Sequence, residues 1–251
     1  MGFGGQKVER GRWKKEKGIN KKESHGGLRD RGKNAIFMLR TNLFQTVMRK
    51  TILLLALVSF VLSACGTKKE VLFNGENLDG WTYFVRESEE EFDEPTFSVR
   101  DGALHVSGQP FGYIRTEKKY GDYTLHLEWR WTGGRVDGGI FNRLQDEDKV
   151  WPVGIQLQIR ERDFGFFFSG IPLEGVEGGP SWRKPPLAEQ DPELPDGQWN
   201  ETVIVCRGGH ISASVNGVLV NEAVAEATEG YIGFQSEGGA IDFRNIYVET
   251  E

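Results

Sequence analysis

The sequence predicts an all-β protein built as an antiparallel β-sandwich. Residues 123–131 alternate apolar and polar side chains, which is typical of a strand with one buried face. Asp101-Gly102 and Asn216-Gly217 each separate two short apolar runs, as the tight turn of a β-hairpin does. The domain shows no long stretch of helical period. Many short strands separated by turns therefore favour a sandwich or a barrel.

The strands can be placed in order along the chain. The first hairpin pairs residues 97–99 with 103–106, and the second pairs 211–215 with 218–220. Cys206 ends the strand-like run 202–206, and we expect it to be a small buried side chain. Further strands are predicted near 113–116, 139–143, 154–160, 164–169, 200–206, 231–235 and 241–248.

Residues 170–198 have a different composition. They contain five glycines and six prolines. Proline cannot donate a hydrogen bond to a strand ladder, so we expect a long ordered loop here. Loops of this length in a compact domain are often functional, and this one could cover a binding site.

An export signal precedes the domain. Arg49 and Lys50 stand before an uncharged apolar run at 51–64, which at 14 residues is shorter than the roughly 20 residues of a spanning helix. A basic start, a short apolar core and small residues are typical of a secretory signal. Leu62-Ser63-Ala64-Cys65 resembles the bacterial lipobox, which implies that Cys65 is lipidated. A generic signal peptide and a short buried helix are the alternatives.

These signals divide the chain. Residues 48–64 form the signal peptide, residues 65–70 form a tether, and residues 71–251 form one domain. Residues 1–47 are a disordered extension or an artefact of start-site choice; a basic nucleic-acid-binding arm is the alternative, and it conflicts with export. The lipid on Cys65 would hold the protein in the cell envelope, on the periplasmic or surface side of a bacterial membrane.

The net charge of −6 hides two unlike segments. Residues 1–50 hold 14 basic and 4 acidic side chains, whereas residues 65–251 hold 17 basic and 33 acidic ones. An acidic domain argues against a nucleic-acid partner, which requires a positive surface, and it suits an uncharged partner. Cys65 and Cys206 are the two cysteines of the sequence, so neither a disulfide framework nor a zinc site is expected.

An ordered set of phrases resembles the 3-keto-disaccharide hydrolase domain family over residues 71–249. The resemblance implies a β-sandwich of jelly-roll, concanavalin-like lectin/glucanase type, found in exported lipoproteins of glycan-degrading bacteria. It also implies a carbohydrate partner. The phrases are Leu72–Trp81, Val99–Leu104, Gly138–Arg143, Trp151–Gln158, Gly197–Asn200, Gly233–Gly239 and Phe243–Ile246.

The chemistry implied by this family is the cleavage of a glycoside already oxidised at C3. The ketone acidifies the C2 proton, so that a base can remove it and expel the substituent at C1. An arginine, amides or a divalent metal must then stabilise the enolate. A non-catalytic glycan-binding module and a structural envelope domain are the alternative functions. The sequence shows no clear pair of carboxylates for ordinary glycoside hydrolysis.

The strand at 154–160 supplies the main candidate site. Ile155, Leu157 and Ile159 alternate with Gln156, Gln158 and Arg160, so one face is apolar and the other presents groups that suit sugar hydroxyls. Members of the family often carry glutamate where Gln156 aligns, and glutamine cannot act as a base.

Glu237, on the turn 235–239, is therefore the preferred catalytic carboxylate, and a sugar is expected to lie across the polar face with Glu237 at its rim. Arg143 is a candidate to orient a hydroxyl or keto oxygen, and Trp151 a candidate to stack on a sugar ring. Asn142 and Glu161 complete the proposed substrate contacts, while Glu161, Asp137 and Asp163 are weaker candidates for the base. The histidine spacing predicts no metal site, although the sequence leaves a divalent metal open.

Overall fold

The computed structural model describes residues 66–160, 163–172 and 181–250. The predictions for residues 1–65, including the signal peptide and the lipidation of Cys65, concern residues outside these ranges, as does the one for Glu161. Within them the chain forms two antiparallel sheets, and no residue there is in an α-helix. No helix in this part of the chain has the length and apolar character needed to cross a membrane.

The first sheet has eight strands. They are β1 (Lys68–Val71), β3 (Phe97–Arg100), β4 (Ala103–Val106), β6 (Tyr123–Trp131), β11 (Asn200–Arg207), β12 (His210–Val215), β13 (Val218–Val224) and β15 (Ile241–Thr250). Their order is β13-β12-β11-β6-β15-β4-β3, and β1 pairs with the C-terminal part of β15.

The second sheet has seven strands. They are β2 (Trp81–Val85), β5 (Gly112–Thr116), β7 (Asp137–Leu144), β8 (Gly154–Arg160), β9 (Phe166–Ser169), β10 (Ser181–Lys184) and β14 (Tyr231–Ser236). Their order is β10-β9-β8-β7-β14-β5-β2. Strand β7 therefore lies between β8 and β14, although 86 residues, which include strands of both sheets, separate Leu144 from Tyr231 along the chain.

The two sheets pack face to face over one core. In β6 every second side chain from Tyr123 to Trp131 is buried, as the alternation predicts. Phe234 of the second sheet stacks on Phe243 of the first, with ring centroids 4.2 Å apart. Such contacts between facing sheets define a β-sandwich. The predicted all-β, antiparallel sandwich of the jelly-roll, lectin/glucanase type is confirmed.

Both predicted hairpins are present with the register that their turns require. Ser98 pairs with His105 across the first turn, and Val215 pairs with Val218 across the second. The turn residues Asp101-Gly102 and Asn216-Gly217 all have positive φ values, from 48° to 79°. This backbone is the type I′ geometry that matches the twist of paired strands. Cys206 is a free thiol, fully buried as expected.

Two segments differ from the sequence expectations. A short strand, Ser181–Lys184, lies inside the predicted loop 170–198 and pairs with β9. It is flanked by Pro180 and Pro185 and contains no proline itself, so the prolines bound the strand instead of preventing it. The first strand begins at Lys68, within the expected tether, because Lys68–Val71 adds to the free edge of β15.

Candidate functional site

The candidate site is built on the outer face of the second sheet. In β8, Ile155, Leu157 and Ile159 enter the core, which turns Gln156, Gln158 and Arg160 to the other face, as predicted. The neighbouring strands β7 and β14 add Asp137 and Gln235 to that face. We call these five side chains the polar face. They are Asp137, Gln156, Gln158, Arg160 and Gln235.

A chain of hydrogen bonds runs across the polar face to Glu237. Gln156 donates its Nε2 to Oε1 of Gln235 at 2.6 Å, and Gln235 in turn donates to the Glu237 carboxylate. Nε1 of Trp151 donates to the other carboxylate oxygen of Glu237 at 3.1 Å. The carboxylate at the rim is therefore held in place by donors from β14 and from the segment before β8.

The electrostatics of Glu237 suit a group that exchanges protons. Burial raises the pKa of Glu237; the Trp151 hydrogen bond opposes this effect, and the nearby charge of Asp137 reinforces it. A carboxylate with a raised pKa is a stronger base once it is ionised. The raised pKa of Glu237 is one of the properties that a general base requires.

Asp137 supplies a second carboxylate close to the first. Gly138 pairs with Ser236 and Gly139 with Gln235, so the same register brings Asp137 beside Glu237 at the ends of β7 and β14. Burial also raises the pKa of Asp137, against the hydrogen bond from Gln158. Nε2 of Gln158 lies 2.9 Å and 3.2 Å from its two oxygens.

The sequence alone did not reveal this pair. Asp137 and Glu237 are 100 positions apart in the chain numbering, and only the adjacency of β7 and β14 brings them together. One signal was available, since Asp137 directly precedes the phrase 138–143 and Glu237 lies within the phrase 233–239, both of which carry the family resemblance.

Arg160 and Gln158 complete the surroundings of Asp137. The Arg160 guanidinium lies 3.9 Å from the Asp137 carboxylate and its side chain is 59% exposed, so it can reach a ligand from the rim. Oε1 of Gln158 is buried and has no hydrogen-bond partner among the described residues. A buried acceptor without a partner is uncommon in proteins, and a hydroxyl of a ligand or a water would satisfy it.

An apolar cleft of about 420 Å³ adjoins the polar face. Its side chains are mostly aromatic, and Trp151, which is 56% exposed, forms one wall. Trp151 and Gln156 belong both to this cleft and to the hydrogen-bonded chain that ends at Glu237. We call this region the apolar cleft. The side chains that define it are Phe141, Trp151, Pro152, Gln156, Phe167 and Ser169.

Arg143 and Asn142 do not join the polar face, which corrects their predicted role. Arg143 has a φ of +56° at an irregularity in the pairing of β7 with β14. A bulge of this kind places two successive side chains on the same side of a sheet. Asn142 faces the core by regular alternation, since it pairs with the core residue Ile155, and it accepts a 2.8 Å hydrogen bond from the Tyr123 hydroxyl; the bulge turns Arg143 to the same side.

The Arg143 guanidinium is buried against the first sheet. It donates to the backbone carbonyls of Tyr120, Gly121 and Gly208, and it lies over the Tyr123 ring at 5.4 Å. With its donors used by loop carbonyls and its side chain 2% exposed, it holds these loops together and does not reach a sugar on the outer face.

The described parts of 170–198 lie elsewhere than over the polar face. The backbone of Leu187 bonds to Val220 of β13, and Glu193 accepts a 2.8 Å hydrogen bond from the Trp131 indole. These contacts attach residues 187–193 to the first sheet, whereas Ser181–Lys184 extends the edge of the second sheet beside β9. The prediction that 170–198 covers the site therefore finds no support in residues 181–198.

No group of three or more His, Cys, Asp or Glu residues in the described ranges could hold a metal ion. The carboxylates of Asp137 and Glu237 are instead occupied by amide, indole and guanidinium donors.

A jelly-roll sandwich with carboxylates, amides and an exposed tryptophan on one open face defines a carbohydrate-active domain. The chain belongs to the 3-keto-alpha-glucoside-1,2-lyase-like domain family, whose model matches residues 68–249. The matched range begins at the first residue of β1 and covers every described strand except the last residue of β15. No match was found among curated proteins.

Three solved structures illustrate the fold. A candidate glycosyl hydrolase from Parabacteroides distasonis ATCC 8503 is 20% identical, with a TM-score of 0.54 over 72% of this chain and 92% of that one. Beta-agarase B from Zobellia galactanivorans is 10% identical, with a TM-score of 0.51 over 74% and 94%. A Bacillus subtilis protein with a galectin-like fold is 13% identical, with a TM-score of 0.50 over 72% and 94%. At these identities the likeness concerns the fold.

Proposed function

We propose that this domain cleaves 3-keto-glycosides by elimination across C1 and C2, with Glu237 as the base. The observation that carries the proposal is the pair of half-buried carboxyl groups, Asp137 and Glu237, side by side on an open polar face. The family to which the chain belongs supplies the class of substrate. The P. distasonis and Z. galactanivorans proteins are consistent with a glycan as the partner.

The reaction needs no co-reactant. The Glu237 carboxylate takes the proton from C2, whose acidity comes from the ketone at C3, and the electron pair enters an enolate. When the C3 carbonyl forms again, a C1–C2 double bond forms and the C1–O bond breaks. The leaving oxygen takes a proton from Asp137, so the products are a 1,2-unsaturated 3-keto sugar and an alcohol. Proton exchange with water resets both carboxyl groups, and addition of water to the double bond would complete a hydrolysis.

The proposal assigns opposite tasks to the two carboxyl groups. A base must be ionised, and the indole N–H of Trp151 and the Gln235 amide stabilise the charged form of Glu237. An acid must hold its proton, and Asp137 takes this role through its place beside Glu237. Burial raises the pKa of both groups and side-chain donors oppose this effect in both, so the division of roles is part of the proposal and not a consequence of these pKa shifts.

The enolate oxygen requires hydrogen-bond donors, and the polar face offers amides and a guanidinium. Arg160 takes this role in place of Arg143, because Arg143 is buried against the first sheet and the Nε2 of Gln156 already donates to Gln235 and, at 3.4 Å, to the Gly138 carbonyl. A guanidinium beside the developing charge stabilises it. Arg160 is 59% exposed and lies 3.9 Å from Asp137, so it can reach the enolate oxygen from the rim.

A second candidate function is glycan binding without turnover. The observation that favours it is the Gln156–Gln235 amide pair at the centre of the polar face, which offers donors and acceptors but no charge. Residues with this chemistry recognise hydroxyl groups equally well in a lectin-like module.

One comparison of substrates separates these functions. The purified protein is incubated with a 3-keto-glucoside and with its unoxidised parent, and the released alcohol is measured by chromatography and mass spectrometry. The proposal expects release from the oxidised substrate alone. Equal release from both would indicate ordinary hydrolysis by the carboxylate pair, and binding of both without release would indicate a glycan-binding module.

We also propose that the protein is an envelope lipoprotein, anchored through Cys65. The support is the sequence around the lipobox, with a basic flank before an uncharged apolar run. Since β1 begins at Lys68, a lipid on Cys65 would leave two residues, Gly66 and Thr67, between the anchored cysteine and the folded domain.

A further inference from the structure

The apolar cleft beside the polar face is not used by the elimination chemistry. Its volume, about 420 Å³, is larger than the roughly 150 Å³ cavity that can hold a benzene molecule. Phe141, Trp151, Pro152 and Phe167 supply apolar surface, while Gln156 and Ser169 are its polar side chains. The sugar ring has its polar partners on the adjacent face, so the cleft is available to another part of the substrate.

The position of the cleft relative to Glu237 indicates which part of the substrate it would receive. The indole that forms the wall of the cleft also bonds to the Glu237 carboxylate at 3.1 Å, and Gln156 connects to it through Gln235. A sugar whose C2 proton faces Glu237 has its C1 substituent one bond away. The cleft is therefore placed to receive the leaving group.

The lining of the cleft indicates the chemical class of that group. A second sugar would bring several hydroxyl groups to walls made by phenylalanine and proline, where they would lose hydrogen bonds to water without replacement. A flat apolar group makes no such hydrogen bonds to water, so it loses none in the cleft, and it can stack on an indole or contact the edge of a phenylalanine ring. Aromatic walls with few polar groups are typical of sites for small apolar ligands.

We propose that the apolar cleft is an aglycone subsite for aromatic groups, so that the preferred substrates are 3-keto-glucosides of aromatic alcohols and not 3-keto-disaccharides. This inference rests on the proposed function for its reaction, but the subsite itself can be tested by binding. Phe167 of β9 is a suitable position to change, because its side chain is half-buried and lies on the outer face between the core residues Phe166 and Phe168.

The experiment compares three substrates that share one keto sugar. They are the 3-keto forms of benzyl glucoside, methyl glucoside and a glucose disaccharide, all of which release an alcohol and not a phenol. The subsite predicts a kcat/KM at least tenfold higher for the benzyl substrate than for the other two. In Phe167→Ala the ratio of benzyl to methyl kcat/KM should fall at least fivefold, whereas Val218→Ala, at an exposed turn residue of β13, should keep the wild-type ratio.

Binding of the unoxidised benzyl and methyl glucosides, measured by calorimetry, separates failure of the subsite from failure of the reaction. If no keto substrate is cleaved, the proposed function fails, yet tighter binding of the benzyl glucoside that Phe167→Ala removes would still support the subsite. A preference for the disaccharide, or equal binding of benzyl and methyl glucosides, would overturn the subsite whether or not cleavage occurs.

Discussion

The indole of Trp151 donates its Nε1 hydrogen to Oε1 of Glu237 at 3.1 Å, and this bond joins the two halves of the site. One side of the tryptophan forms a wall of the apolar cleft, and its N–H stabilises the charged form of the carboxylate on the polar face. In the proposed function, the residue that would hold the leaving group is thereby coupled to the residue that would remove the proton.

The first prediction concerns pH. Glu237 must be ionised to act as the base, and burial raises its pKa above the ordinary range. In the pH profile of kcat/KM, the rise on the acidic side should therefore lie at higher pH than an exposed glutamate would give. In Trp151→Phe the stabilising N–H is lost, so the pKa of Glu237 rises and the limb should move to still higher pH. The pH–rate profiles of the wild type and Trp151→Phe check this. An acidic limb at the same pH in both would show that Trp151 does not affect the ionisation of Glu237.

The second prediction concerns stability. The raised pKa of Glu237 means that the folded state favours the protonated form. The corresponding stability is complete below the unfolded-state pKa and is lost as pH rises through the folded-state pKa. Glu237→Gln, which cannot ionise, should therefore raise the melting temperature at neutral pH. The gain should shrink at acidic pH, where the wild-type carboxyl group is already neutral; a gain of the same size there would contradict this account.

The third prediction uses two glycines. A Cβ on Gly139 would overlap the side-chain amide of Gln156, whereas a Cβ on Gly134 has nothing within 4 Å. Gly139→Ala should displace Gln156, which holds the Gln235 amide that donates to Glu237, and lower kcat/KM by about tenfold, since the misplacement of one oriented hydrogen-bond donor has an effect of this order or more. Gly134→Ala is the matched control and should retain wild-type kinetics. Equal activity of the two variants would show that the position of Gln156 does not matter for activity.

The fourth prediction separates two arginines. Arg143 donates to three carbonyls in the interior, so Arg143→Met should cost about 3 kcal/mol, which for a domain of this size lowers the melting temperature by roughly 6–12 °C. Arg160 is 59% exposed, and Arg160→Met should leave the melting temperature within about 2 °C while it reduces kcat. If Arg143→Met instead lowers kcat without lowering the melting temperature, Arg143 acts in catalysis and not in holding the loops together.

The fifth prediction concerns anchoring. If Cys65 carries a lipid, Cys65→Ser should abolish lipidation and shift the protein from the detergent phase to the aqueous phase on phase partitioning. Mass spectrometry of the mature N-terminus measures the modification directly. Unchanged partitioning and mass in the variant would show that the lipobox-like sequence is not processed.

The positions of the strands were predictable because they depend on residues that are close together in the sequence. The alternation in Tyr123–Trp131 and the turns Asp101-Gly102 and Asn216-Gly217 determine local geometry, and the structure has them where expected. The same reasoning placed Gln156 and Gln158 on the outer face of β8, because a regular strand alternates strictly.

The residues that were misplaced depend on features that a local pattern does not encode. Strict alternation fails at Arg143, where a positive φ and an irregular register turn Asn142 and Arg143 to the same side. The proximity of Asp137 to Glu237 follows from which strands are neighbours in the sheet, a property of the whole topology. Sequence reasoning therefore named Glu237 as the preferred carboxylate and Asp137 as a weaker candidate, but it did not predict that the two lie together.

The most direct test of the account is exchange at C2 of the substrate. A 3-keto-glucoside is incubated in deuterated water with the wild-type protein, with Glu237→Gln, and with Glu117→Gln, a matched change at an exposed position after β5. If Glu237 removes the C2 proton, the wild type and Glu117→Gln should release alcohol at equal rates, and Glu237→Gln should lose both release and any deuterium uptake at C2 by roughly 10²–10⁴-fold. Wild-type rates of release in Glu237→Gln would show that another group is the base.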